Sequence, residues 1–491
     1  MRGRPNTRNP VAPLLRFDHI RATLGDFRRL FTYDTFLLTL LGVGLALLAT
    51  VMLLQQRRTP QSAAAWILAI ILLPWVAIPL FFALGFRKKG GRHPTIRFST
   101  PPGDAPADPS RGPAEAFRAY GVPAATTGNR IELHRDAKHA REAMREMVES
   151  ARHELDITFY LIHDDAVGRD FVDLLTARVE DGVQVRLIID RLGGFWCPRA
   201  ALARFEAAGG ELRWHQPFLN WPLKGHMNLR NHRKMIIADR ARAWTGGRNV
   251  GCEYMGFPPH ARREKGDPEL WRDLSFTLHG PSVEVLWDLF RADWGVAEGE
   301  VDPLPELHVE ERPGEATVQV VPSGPDTYLD PLHDVLVQMI HAATRRVWIA
   351  TPYFLPTEPL NAALCTAARR GVDVRVMVPA RSNQRIADFA RGAYLRTLAE
   401  SGARVLQLPR QMTHAKAGVI DDAAWAGSAN FDVRSMLLNF EVAVFVYDAP
   451  SVALLADWFA AETAICREGV RRPKLGRRLA EGVFRLGAPM L

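Results

Sequence analysis

Cysteine is scarce in this 491-residue chain: Cys197, Cys252, Cys365 and Cys466 stand far apart, with no C-x-x-C pair. That spacing offers neither a disulfide framework nor a thiolate zinc site, and it suits a reducing setting for the water-facing part. An aspartate-rich cluster of the kind that holds divalent metal is missing too, as is an aromatic-studded basic stripe on which bases could stack. No metal site and no cofactor is therefore expected, and nucleic acid is not an expected partner. Acidic residues number 54 against 62 Lys and Arg, a formal charge of +8. An excess of that sign favours polyanionic partners without choosing among them.

Charge is absent altogether from two long stretches. Phe36 to Leu54 is nineteen uncharged residues and Ala63 to Phe86 is twenty-four, each long enough to cross a bilayer as a helix. The spacing predicts a two-helix transmembrane hairpin over 36–54 and 63–86, the second helix kinked by Pro74 and Pro79. A removable signal sequence fits poorly, because thirty-five residues precede the first run and a second run comes at once. Arginines crowd 1–35, two more (Arg57, Arg58) sit in the short loop, and Arg87, Lys88, Lys89, Arg92 and Arg97 come after the second run. The positive-inside bias then puts both ends in the cytoplasm. Residues 87–128 read as a basic and then Pro-rich linker.

Beyond residue 128 the chain repeats itself. Leu155 to Leu161, a helical stretch and Gly182 to Asp190 are matched by Val347 to Phe354, a helical stretch and Gly371 to Pro379. Each copy is strand, helix and a GVxVR strand, which is βαβ punctuation. Two α/β halves are expected, 129–300 and 315–470, with mainly parallel sheets flanked by helices and a basic tail at 471–491.

Each half then carries the same polar signature. The first is His232-Arg233-Lys234, Asp239 and Gly246-Gly247-Arg248-Asn249; the second is His414-Ala415-Lys416, Asp421 and Gly427-Ser428-Ala429-Asn430. On an extended chain the His and Lys of each triplet share one face, opposite Arg233 or Ala415. An imidazole and an ammonium are thus held side by side, while the glycine-led turn brings backbone and an Asn amide to a bound anion. One His-x-Lys would be chance; two copies with matched context indicate one two-part site. Asp239 and Asp421, candidate members of that site by motif, fall past the strand end and are expected chiefly to fix the turn.

This pair resembles the HKD motifs of the phospholipase D superfamily over roughly 129–470. Narrower features are similar to its bacterial cardiolipin synthase branch: WRD at Trp271 to Asp273, TPYFLP at Thr351 to Pro356, GSANFDVRSMLLNFE at Gly427 to Glu441, and the apolar module Arg57 to Gly85. The first copy departs in having Gly247 where the superfamily often has Ser. The second copy is one residue shorter between Asp421 and Gly427 than the first between Asp239 and Gly246.

The resemblance implies a phosphatidyltransferase of the bacterial inner membrane, multi-pass, with its catalytic part on the cytoplasmic side. It would join two phosphatidylglycerol molecules through a phosphohistidine and release glycerol, with anionic phospholipids, phosphatidylglycerol and cardiolipin, as partners. By the same likeness His232 attacks, His414 is the general acid, Lys234, Lys416, Asn249 and Asn430 hold the phosphate, and Asp273 and Glu441 orient the histidines. The symmetry of the two copies leaves the histidine roles open to exchange. Hydrolysis of phospholipid, or phosphatidylethanolamine as donor, would use the same residues. A nuclease is disfavoured by the two apolar runs, and a non-catalytic adaptor by the survival of every His and Lys. The basic tail from Arg471 to Leu491 is weakly amphipathic and suits either anionic lipid or packing on the domain.

Overall fold

The computed structural model of the chain describes residues 17–55, 60–84, 94–99, 107–215, 229–261, 269–298, 311–471 and 473–486. The basic stretch 1–16, the loop arginines Arg57 and Arg58, the cluster from Arg87 to Arg92 and most of the expected seam between the halves lie outside them. The chain divides into two units, Met1–Gly85 and Phe86–Leu491.

In the first unit, helix α1 (Phe17–Leu54) starts well before the expected span. Its Tyr33–Leu54 portion, 22 residues of mean hydropathy 2.5, is long and apolar enough to cross a bilayer. The second expected span is not one helix. It is divided at Leu73 into α2 (Pro60–Leu72) and α3 (Pro74–Leu84), because Pro74 has no N–H to donate and its ring crowds the preceding turn. The break is a bend more than a gap: Leu73 N–H still donates to Ala69 C=O at 2.8 Å and Ala77 N–H to Leu73 C=O at 2.8 Å.

The second unit is built on one fifteen-stranded sheet. Its first half supplies β1 (Thr126–His134), β2 (Glu154–Phe159), β3 (Gln184–Asp190), β4 (Glu211–His215), β5 (Met235–Ala238), β6 (Arg242–Gly246) and β7 (Ser275–His279). Its second half supplies β8 (Ala316–Ser323), β9 (Arg346–Ala350), the short β10 (Phe354–Leu355), β11 (Asp373–Pro379), β12 (Arg404–Leu408), β13 (Ala417–Ile420), β14 (Ala423–Gly427), the short β15 (Phe431–Asp432), β16 (Glu441–Val446) and the edge strand β17 (Arg467–Glu468). The order is β17-β12-β11-β9-β13-β14-β16-β8-β1-β7-β6-β5-β2-β3-β4, two matching arms that meet where β8 pairs antiparallel with β1, with β17 added at the outer edge of the second; β10 and β15 form a separate parallel pair.

The expectation of mainly parallel sheets is corrected to a mixed sheet. β2, β3 and β4 are parallel, as are β9, β11 and β12, since helices connect them. The other pairings in each arm are antiparallel, because β5–β6 and β13–β14 are hairpins whose tight turns reverse the chain. The first hairpin turns through Asp239, Arg240 and Ala241 and the second through Asp421 and Asp422, with positive φ at Asp239 (50°), Arg240 (53°) and Asp421 (47°). This accounts for the one-residue difference in length between the motif copies.

One face of the sheet is covered across both halves by the helices Val283–Glu298 and Ala449–Thr463. A single core runs beneath them, from Met235, Ile237 and Leu278 through Val318 and Val320 to Val419 and Val444. The opposite face carries two separate cores. Helices Ala137–Glu149 and Ala166–Glu180 pack on the first arm, with Met144, Phe171 and Leu175 against Ile157, Leu187 and Trp244. Helices Pro331–Ala342 and Glu358–Arg369 do the same on the second, with Leu336 and Leu364 against Val347, Val376 and Phe445. The linker region is partly built in: Ile96 is buried in the shared core, and Phe117, on the helix Pro113–Ala119, meets Phe445 of the other half with ring centroids 4.8 Å apart.

Candidate active site

In each arm β2 or β9 runs antiparallel to β5 or β13, so the carboxyl end of the former adjoins the amino end of the latter: Thr158 pairs with Met235, and Ala350 with Ala417. Both His-x-Lys triplets sit just before those amino ends, at the edge where parallel strands deliver their loops. They precede the strands and are not within them. Asn231 anchors the first triplet, its N–H donating to Asp190 at the end of β3 (2.9 Å) and its side-chain amide to Asp293 (2.8 Å).

Each triplet is held by backbone from the other half. His232 N–H donates to Phe440 C=O and Phe440 N–H to Arg230 C=O, both at 2.9 Å; His414 N–H donates to Arg272 C=O at 2.7 Å and Arg272 N–H to Met412 C=O at 2.8 Å. The next residue after each partner is a carboxylate, and it meets the opposite histidine. Asp273 Oδ2 accepts from His414 Nδ1 at 2.7 Å, and Glu441 Oε1 lies 3.2 Å from His232 Nδ1. Nδ1 of each ring is thus directed at a carboxylate, leaving Nε2 for chemistry. Lys234 Nζ donates to His232 C=O at 2.5 Å, and Lys416 Nζ bonds His414 C=O and lies 2.7 Å from its Nδ1. Tyr160 sits edge-on to His232 (centroids 4.5 Å apart), while Tyr254 (5.2 Å) and Trp271 (5.5 Å) flank His414.

Residues 144–256 and 336–463 match the family of cardiolipin synthase phospholipase D-like domains, and 44–85 match the phospholipase D nuclease N-terminal family. Cardiolipin synthase A of Pseudomonas syringae pv. syringae (strain B728a) is 30% identical over 483 residues, which cover 94% of this chain and 98% of that one. The chain belongs to the cardiolipin synthase family. Cardiolipin synthase 2 of Bacillus anthracis is 32% identical over 358 residues, 71% of this chain and 68% of that one. The solved phosphatidylserine synthase of Haemophilus influenzae Rd KW20, 13% identical, shares the fold with a TM-score of 0.55 over 74% of this chain and 95% of that one. As a member of this family the chain is a phosphatidyltransferase of the phospholipase D superfamily, associated with membrane.

Burial governs the charges in this cardiolipin synthase-like site. It brings Lys416 down to about 7 and Lys234 to about 8, against the pull of Glu441 and Asp273. His414 falls to about 4, through burial and then the nearby Lys416 ammonium, and burial also lowers His232. For Asp273 burial acts upward, yet His414, Lys416 and Arg248 together hold it down at about 2; Glu441 is lowered likewise by His232 and Lys234. Two carboxylates therefore stay ionised among cations whose charge an incoming phosphate would secure.

The two copies differ in how the carboxylate is seated. Ser428 Oγ donates to Glu441 Oε2 at 2.6 Å and accepts from Val442 N–H at 2.9 Å. At the matching position a Cβ on Gly247 would stand 2.2 Å from Asp273 Oδ1. The departure from Ser is thus a steric requirement of the first copy.

Of the residues expected at the site, His232, Lys234, His414, Lys416, Asp273 and Glu441 are brought together. Asn249 and Asn430 lie in the glycine-led turns with side-chain Oδ1 atoms buried and without a hydrogen-bond partner among the described residues. Asp239 and Asp421 are not part of the cluster. They lie beyond the far ends of β5 and β13, about 16 Å along the chain from the lysines at extended spacing. Asp239 accepts from the N–H groups of Arg152, His153 and Glu154, and Asp421 from those of Thr344, Arg345 and Arg346. They staple the hairpin turn to the start of β2 or β9.

Sequence reasoning missed three contributors. Asn439, whose Nδ2 is 3.2 Å from His232 Nδ1, could have been found as the polar partner in the N-x-E spacing ahead of Glu441. Tyr160 ends an apolar strand and gave no signal. Arg233, placed only on the opposite face, is fully buried between Asp293 and Asp326, each at 2.6 Å.

Proposed function

We propose that the chain makes cardiolipin by moving a phosphatidyl group from one phosphatidylglycerol to the hydroxyl of another, releasing glycerol. His232 Nε2 attacks phosphorus; the P–O bond to glycerol breaks as His414 gives that oxygen a proton, leaving a phosphohistidine. The second lipid's hydroxyl then loses its proton to His414 and attacks phosphorus, breaking the P–N bond and freeing His232. Lys234 and Lys416 carry the phosphate charge, and an amide flip would turn the Asn249 and Asn430 Nδ2 groups toward it as donors.

The observation that carries this reading is the pair of imidazoles, each set against a carboxylate of the other half at one edge of one sheet. The role assignment is supported by exposure and pairing. His232 is the more open ring, its side chain 23% exposed against 10% for His414, while His414 has the shorter contact to a carboxylate; held at about 4 in the free site, His414 can give a proton only once the bound phosphodiester anion offsets Lys416 and raises it. Asp239 and Asp421 serve the fold in this scheme. The helix α1, and α2 with α3 as one bent crossing, suit a two-pass anchor in the bacterial inner membrane with basic flanks cytoplasmic.

The test uses a phosphatidyl p-nitrophenyl ester, whose leaving group needs no general acid. His414→Ala should release one equivalent of nitrophenolate in a burst and stall with acid-labile phosphohistidine; His232→Ala should release none. The reverse pattern would exchange the roles. With phosphatidylglycerol in mixed micelles, added glycerol should suppress cardiolipin formation by the unaltered chain. Phosphatidic acid as the dominant product would instead make the chain a hydrolase.

A further inference from the structure

Over its described side chains, 475–482, the helix Leu475–Leu486 is docked by one face and bare on the other. Glu481, only 2% exposed, pairs with Arg396 (2.7 Å) and Arg477 (3.1 Å), binding the helix to its neighbour Arg385–Glu400. Gly392 makes this approach possible, for a Cβ there would meet the Glu481 carboxylate at 2.8 Å. Arg477 stacks over Phe389 with its guanidinium carbon 5.5 Å from the ring centre. Contacts therefore rise together, Arg477 with Phe389 and Glu481 with Gly392 and Arg396, so the two helices run parallel.

At 100° per residue Leu475 and Leu479 fall roughly opposite the docked edge of the helix. They are 73% and 65% exposed, and Ile386, at the start of the neighbouring helix, is 48% exposed. Exposed cations flank them along this helix and at the start of its neighbour: Arg381, Arg385, Arg471, Lys474 and Arg478. Between Gly469 and Leu486 the sole acidic residue is Glu481, which is buried. Parallel packing puts the Leu475 end beside the loop after β11, where Asn383 accepts from the Tyr353 hydroxyl at 2.5 Å. Tyr353 follows β9, whose last residue Ala350 pairs with Ala417 next to Lys416, and its C=O accepts from the hydroxyl of Thr351, which in turn accepts from the N–H of Phe431, the residue after Asn430. The Leu475 end of the helix therefore lies at the same edge of the sheet as the His-x-Lys triplets.

We propose that the Leu475–Leu486 helix, with Ile386 and the basic residues around it, is a docking surface for an anionic lipid bilayer, holding the mouth of the site against the headgroups. Exposed leucines enter the interface and flanking cations meet phosphates, a combination that binds a negatively charged lipid surface and is poorly suited to a neutral one. The proposal depends on the phosphatidyl-transfer reading only for what the docking achieves; the surface itself does not need it.

The full chain, carrying Leu479→Cys in a Cys466→Ser background and labelled with an environment-sensitive fluorophore, is reconstituted into vesicles. In phosphatidylglycerol-rich vesicles the emission should shift to the blue and resist acrylamide quenching. In pure phosphatidylcholine both effects should fade, and Lys474→Glu with Arg478→Glu should abolish them, since each cation near an anionic leaflet strengthens binding roughly fivefold. An emission equal in both vesicles and fully quenchable overturns the proposal. In a second arm, Leu475→Asp with Leu479→Asp should reduce turnover of vesicular lipid severalfold and leave a monomeric short-chain substrate unaffected. Equal loss on both would make the helix a structural brace and also overturn it. If the fluorophore inserts while no cardiolipin forms, the docking stands and the synthase reading fails.

Discussion

If Lys416 and Lys234 carry the phosphate charge as proposed, they should set the alkaline limit of this site. With the ammonium groups brought to about 7 and about 8 by burial, the free site loses positive charge as pH rises through that range, not near the ordinary lysine value of about 10.4. The kcat/KM profile should therefore fall on its alkaline side from about pH 7 to 8 upward. Saturating lipid should move the fall upward, because a bound phosphodiester favours the charged lysines; an unchanged limb near 10 would remove the lysines from phosphate binding. The asymmetry at the carboxylates gives a second expectation. Gly247→Ala would press a methyl group on Asp273, 2.2 Å from Oδ1, and displace the partner of His414, lowering kcat about 10²-fold by analogy with a catalytic group moved by an ångström. Ser428→Ala displaces nothing but removes the hydrogen bond to the charged Glu441 and the acceptor of the Val442 N–H, and should cost about tenfold. Comparable losses in the two variants would show that the copies are seated alike.

At the scale of elements, the hairpin aspartates separate architecture from chemistry. Each accepts three backbone N–H groups from the segment that opens β2 or β9, and its carboxyl is held below the usual range: burial raises it and those donors more than offset that. A lowered folded-state pKa contributes stability above the unfolded value and loses it as pH falls through the folded one, so the staple fails only in acid. Asp239→Asn should lower the melting temperature at neutral pH, by an amount that shrinks toward pH 3, with kcat retained within a few fold. Loss of turnover without loss of stability would return Asp239 to the site. The duplicated His-x-Lys and GVxVR patterns were legible in the sequence because each is local, set by period and turn chemistry. The mixed sheet was not, since β5, β6 and their counterparts are short, almost wholly buried and without alternation. The crossed carboxylates were half legible. Their positions stood out, but their exchange depends on pairing between residues 141 apart in sequence, His414 and Asp273.

For the molecule as a whole, the two halves are one folded body. A shared core passes beneath the β1–β8 seam, and Arg233 of the first half is buried between Asp293 of that half and Asp326 of the second, both at 2.6 Å. Burial has raised Asp293 to about 6, against the Arg233 charge beside it. Arg233→Ala would leave two buried carboxylates facing each other, and should destabilise the second unit by about 3–5 kcal/mol. Calorimetry on the detergent-solubilised full chain checks this; an unchanged transition would mean that the halves do not depend on the charge at their junction.

Crossing the carboxylates also constrains how such a chain can change. In most tandem duplications one copy can decay while the other continues to work, because each carries its own machinery. Here the partner of either histidine is encoded in the opposite copy, so damage to one copy reaches the other at once. The two copies are therefore expected to tolerate change as one unit, though nothing in the contacts requires them to be identical. The Gly247 with Asp273 and Ser428 with Glu441 sets must each change as a group, and the two groups are free to differ.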